Sequence, residues 1–68
     1  MMRLDDYSRV YVERAIAQIA RGLARVEVRE RWPRRYDPVQ LETAVSAYLR
    51  EHGGRLRAEA KSILATNI

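Results

Sequence analysis

Sixty-eight residues with no cysteine and a single histidine suffice for one small domain and exclude a disulfide framework, a thiolate zinc site and a cysteine nucleophile. A content of 47% hydrophobic and 32% charged residues belongs to a folded chain rather than a disordered one. The formal charge of +4 is carried unevenly: residues 3–35 hold nine arginines against five carboxylates, whereas residues 36–68 hold four cations against four.

No apolar run approaches the roughly 18 residues of a membrane span, and the N-terminus lacks the uninterrupted apolar core of a signal peptide. The expectation is a cytoplasmic protein that makes no membrane contact. A chain of this length buries only about 60% of its unfolded surface. With no covalent or metal staple to draw on, self-association is the expected remedy, and a homodimer through the first helix is the expected form.

The chain opens with Leu4-Asp5-Asp6-Tyr7, where an aspartate can cap free amides and the acidic pair suits the positive end of a helix dipole. Tyr7, Tyr11, Ala15, Ile19 and Leu23, with Val12, Ile16, Ala20 and Val26 beside them, then recur at steps of three and four. That spacing predicts an amphipathic helix from about residue 6 to 24. Gly22 is its weak link, since an interior glycine costs about 1 kcal/mol against alanine.

Residues 25–31 point two ways. Val26 and Val28 alternate with Arg25, Glu27, Arg29 and Arg31, as in a strand. Against that, Glu27 to Arg31 and Glu30 to Arg34 are i,i+4 pairs between good helix formers. Continued helix is the expectation, with a short strand at 25–31 as the alternative. Were the strand to form, the order strand, helix, turn, helix over residues 25–66 resembles the ribbon-helix-helix DNA-binding family. The resemblance implies that two chains would pair these strands and lay Arg25, Glu27, Arg29 and Arg31 in the major groove.

Pro33 ends the preceding element, because it lacks an amide and disfavours helix at Trp32. Asp37-Pro38-Val39-Gln40 is a helix start, with Asp37 as N-cap, Pro38 in the first turn and Gln40 completing a capping box. Leu41, Ala44, Val45, Tyr48, Leu49 and His52 share its apolar face. Gly53-Gly54 is expected to end it with a left-handed cap, His52 serving as a dipole-compatible last-turn residue. A third helix from about Arg55 to Thr66 would bury Leu56, Ala60, Ile63 and Leu64. The fold expected is therefore all-α, three helices in one domain over residues 1–68, the last two forming a hairpin.

The functional candidate is the corner between the halves, which holds the only tryptophan and both prolines. Arg25, Arg29, Arg31, Arg34 and Arg35 offer guanidinium forks that match phosphate oxygens. Trp32 and Tyr36 offer flat rings for stacking on bases or lying against a minor groove. These seven residues form the expected nucleic-acid or partner-binding site, with DNA rather than RNA as the ligand. The plainer reading has the rings closing the junction between helices and the arginines solvated at a helix C-terminus.

Other chemistry is poorly served. His52-Gly53-Gly54 has the glycines of an esterase oxyanion loop, but no G-x-S-x-G elbow accompanies it. Most carboxylates have an arginine within one helical turn, no phosphate-loop pattern occurs, and neither a cofactor nor a metal is expected. A helix-turn-helix at 38–66, reading with Arg55, Arg57, Lys61 and Ser62, is weakened by the charge balance of that half. The expectation is a non-enzyme that binds nucleic acid. The alternative is a small inhibitor or antitoxin-like regulator, of the kind phages use against host defence, gripping an acidic protein face through the same corner. Trp, Tyr and Arg are the residue types enriched at such hot spots.

Overall fold

Pro33 and Pro38 bracket the segment that divides the chain into two long helices. The computed structural model describes residues 4–66, with side chains from Arg9 onward. Helix α1 spans Leu4–Arg31 and helix α2 spans Pro38–Thr66. The all-α expectation holds, and no strand occurs among the described residues. The expected aspartate cap at Asp5 or Asp6 and the place of Tyr7 in the stripe lie outside the described side chains.

Residues 25–31 continue α1, which removes both the strand alternative and the ribbon-helix-helix order built on it. Burial explains the outcome. Val28 is fully buried four residues beyond buried Ala24, so the helical phase keeps it on the core side, while Val26, its strand-phase companion, is 54% exposed. Gly22 is carried within the helix without a break. The Trp32 amide still donates to the Val28 carbonyl at 2.9 Å, and Pro33, with no amide to offer, stops the ladder one residue later.

The core is a seam between the two helices. Ile16, Ala20, Ala24 and Val28 recur every four residues on α1, facing Leu41, Val45, Tyr48, Leu56 and Ala60 of α2. Such an i±4 row forms a ridge along a helix, and its two alanines keep it low, so the backbones can approach closely. The expected stripe centred on Tyr11, Ala15, Ile19 and Leu23 is displaced: Ile19 and Leu23 flank the core, and Tyr11 is 70% exposed. One helix can cover only a narrow band of another, and a broad apolar stripe does not say which part of itself will be covered.

The expected second and third helices run on as one helix, Pro38–Thr66, kinked at His52. Gly53 and Gly54 do not stop α2; neither has a positive φ, and the only non-helical backbone within the helix is at His52 (φ −116°, ψ 15°). A left-handed cap needs φ > 0, and none forms here. Leu56 and Ala60, just past the glycines, are both fully buried. Holding them on α1 requires the chain to run on rather than turn back. His52 is accordingly a kink residue inside a helix, not its last turn.

Ion pairs fix the direction of the hairpin. Arg21 and Arg25 both reach Glu42, the latter at 2.8 Å, while Glu13, further back on α1, meets Arg57, further along α2, at 2.6 Å. The helices therefore run antiparallel. The Glu27–Arg31 pair expected within α1 gives way to a tertiary one, Glu27 taking Arg55 at 2.6 Å. The Tyr48 hydroxyl also donates to Glu27. Hydrogen bonds from Arg55 first and Tyr48 second hold the Glu27 carboxyl at about 2, down from 4.5. The same bond from the other side raises the Tyr48 hydroxyl.

Candidate functional site

The corner, residues 32–37, is built from local chemistry. Asp37 and Gln40 form the expected capping box: the Gln40 amide donates to Asp37 Oδ1 at 2.8 Å and the Asp37 amide to Gln40 Oε1 at 3.3 Å. The Leu41 amide bonds the Asp37 carbonyl at 2.9 Å. Across the bend, the Tyr36 hydroxyl donates to the Trp32 carbonyl at 2.9 Å, closing a loop that would otherwise present an unpaired helix-end carbonyl. Both ends of the six-residue segment are thus tied to a helix terminus.

Of the seven residues named from the sequence, six gather at this end of the hairpin and one is otherwise engaged. Arg29, Arg34, Arg35 and Tyr36, with Pro33, surround a shallow surface depression. Trp32, Arg34 and Tyr36, with Ala44 from the second turn of α2, surround a second. Arg34 and Tyr36 belong to both, the guanidinium lying over the phenol ring 4.6 Å from its centroid. Arg31 lies over the Tyr48 ring at 5.7 Å, within cation–π range. Arg25 points instead to the helix seam, where Glu42 holds it. Hydrogen bonds from Arg21 and then Arg25 lower the Glu42 carboxyl in turn.

No ion pair engages Arg29, Arg31, Arg34 or Arg35 among the described residues. The expected Glu30–Arg34 pair does not form. Arg29, Arg34 and Arg35 thus stand together at the tip, Arg31 lying apart over Tyr48, with Glu30 and Asp37 as the nearby acids in sequence. Trp32 is 52% exposed, so it neither vanishes into the junction nor stands free. Its ring meets Tyr48 edge to face, centroids 6.1 Å apart at 80°. Tyr48 is buried and stacks on His52 at 4.4 Å. The Trp32 ring is thus supported on one side by Tyr48 and about half open to solvent.

Two supports went unseen in the sequence. Tyr48 looked like ordinary core on an apolar face; that it would back Trp32 depends on the antiparallel packing. Ala44 sits on the same face, and its small side chain leaves room beside Trp32. No residue pattern announces either role. Among the described residues, no group of three or more His, Cys, Asp or Glu is placed to hold a metal ion. No helix there is long and apolar enough to cross a membrane.

No protein-family model, curated protein or solved structure significantly matches this chain.

Proposed function

We propose that this chain is a non-enzymatic nucleic-acid-binding module that grips backbone phosphates with the arginines of its corner, DNA being the expected ligand. The observation that supports this reading is the group Arg29, Arg31, Arg34 and Arg35, none of them ion-paired among the described residues, set beside a half-exposed tryptophan. Arginines spent on internal ion pairs have little to offer a phosphate. These four keep their forks available, and counterion release from a nucleic acid would supply the binding energy. Labelled duplex DNA and single-stranded RNA titrated with the protein at low and physiological salt provide the test by fluorescence anisotropy. Binding that weakens steeply with salt supports the proposal, and no binding to either at low salt refutes it.

A second reading is favoured by the same Trp32 ring. A supported but open tryptophan flanked by tyrosine and arginine has the composition of an interface hot spot, and a small inhibitor or antitoxin-like regulator could seat it in a pocket on an acidic partner. Trp32→Ala and Arg35→Lys separate the two readings. Phosphate binding tolerates lysine and loses part of its affinity with the ring, whereas a pocket-bound anchor loses nearly all binding with the ring.

Self-association belongs to the same proposal. Val12 and Val26 are exposed on α1, with Ala15, Ile19 and Gly22 between them at steps of three and four, a spacing suited to a second helix. Sedimentation equilibrium should return twice the 7.9 kDa of one chain. A mass of 7.9 kDa at micromolar concentration would refute the dimer.

A further inference from the structure

We infer that the corner is a subsite for single-stranded nucleic acid, one depression taking a phosphate and its neighbour an unstacked base; the inference rests on the nucleic-acid reading above. Two adjoining depressions share a wall, the Arg34–Tyr36 stack. On one side of that wall the lining is cationic, with Arg29, Arg34 and Arg35 and no carboxylate. On the other it is flat and largely apolar, with Trp32, Tyr36 and Ala44. A nucleotide has the same two-part character, an anionic phosphate joined to a flat base, and the shared wall lets one guanidinium serve both parts.

The state of Trp32 favours a single strand over a duplex. Stacking needs a free π-face, and a duplex keeps its base faces inside the helix, offering only edges and backbone. Unstacked bases use aromatic platforms regardless of sequence. Trp32 is suited to be one: half its surface is open, it packs at a steep angle against buried Tyr48, and its backbone carbonyl is tied to the Tyr36 hydroxyl. A ring held in place before binding loses little freedom on binding.

The distribution of charge points the same way. A helix laid in a major groove needs available cations along one face. On α1 the next arginines back from the tip, Arg25 and Arg21, are both committed to Glu42. Among the described residues Arg9, Arg14 and Arg50 also lack an ion pair, but only at the tip do several such groups, Arg29, Arg34 and Arg35, line one depression, which suits a short length of flexible strand.

The test uses the intact wild-type chain and three labelled probes of equal length at low and physiological salt: oligo-deoxythymidine, the same backbone with abasic sites throughout, and a DNA duplex. Anisotropy and Trp32 emission are read together. The expected result is single-strand binding about tenfold tighter than abasic or duplex binding, the size of effect one stacked base supplies, with Trp32 emission quenched only by the base-bearing strand. Equal affinity for all three probes with unchanged emission would overturn the subsite while leaving phosphate binding in place. No salt-sensitive binding to any probe would overturn the nucleic-acid reading itself. Trp32→Tyr, which keeps a ring, should retain most of the single-strand preference, and Trp32→Ala should lose it; circular dichroism of both variants checks that the helices persist.

Discussion

Replacing Gly53 and Gly54 by alanine, singly, probes the least expected feature of the fold. In a left-handed cap, alanine is strained and the helix end is lost. Here neither glycine has a positive φ, and a Cβ built at either position meets nothing within 4 Å. With no strain and no clash, what remains is the loss of backbone freedom in the unfolded chain, together with the better helix propensity of alanine. Together these are worth about 0.5–1 kcal/mol per site. For a chain of this size, 1 kcal/mol corresponds to a rise of about 4–8 °C in Tm. Thermal melts followed at 222 nm should therefore show each variant melting a few degrees above wild type. If either variant instead lost 1 kcal/mol or more, the glycine would have to occupy a conformation closed to alanine. Pro38–Thr66 would then be two helices and a turn, and the reasoning from Leu56 and Ala60 burial would fail.

Acid should destabilise the hairpin. Glu27 is at about 2 when folded against 4.5 ordinarily, so its contribution is complete above 4.5 and is lost as pH falls from there toward 2. Linkage sets an upper bound of about 3 kcal/mol, and about 1 kcal/mol is expected for a carboxylate still reached by solvent. The depressed Glu42 adds to the loss in the same direction. Denaturant midpoints between pH 5 and 2.5 should fall for wild type and fall less for Glu27→Gln; parallel curves would show that Glu27 is not the group involved. Ala24→Leu enlarges a fully buried alanine on the α1 seam and should cost about 1–3 kcal/mol by forcing the helices apart, read as a lowered urea midpoint. No change would mean that the seam is looser than its burial implies.

How much of this was legible in the sequence differs from residue to residue. The all-helical class, the stop at Pro33 and the Asp37–Gln40 box could be read because each depends on residues within one turn of each other. The apolar faces of Pro38–Thr66 were legible for the same reason, with Leu41, Val45, Tyr48, Leu56 and Ala60 on the expected sides, although Ile63, expected inside, is 38% exposed. Gly53-Gly54 misled because a glycine pair permits a cap without requiring one, and the burial of residues beyond it decided the matter. The stripe on α1 was placed about one position away from the true seam because covering by a single helix selects a narrow row. At the corner, the residue types and their clustering were visible. That Arg25 would be taken by Glu42 while Arg29, Arg34 and Arg35 stayed together depends on which residue lies across the hairpin, and no local pattern carries that.

The most direct test of the central claim compares two arginines that differ in commitment and in distance from the corner. Arg35 lies at the tip without an ion pair among the described residues, and Arg57 is held by Glu13 at 2.6 Å toward the opposite end. Affinity for a nucleic-acid probe should be measured across a salt series for wild type, Arg35→Ala and Arg57→Ala. Arg35→Ala should weaken binding and lower the slope of log affinity against log salt by about one, while Arg57→Ala should leave the slope unchanged. Equal loss in both variants, or none in either, would contradict a phosphate site at the corner.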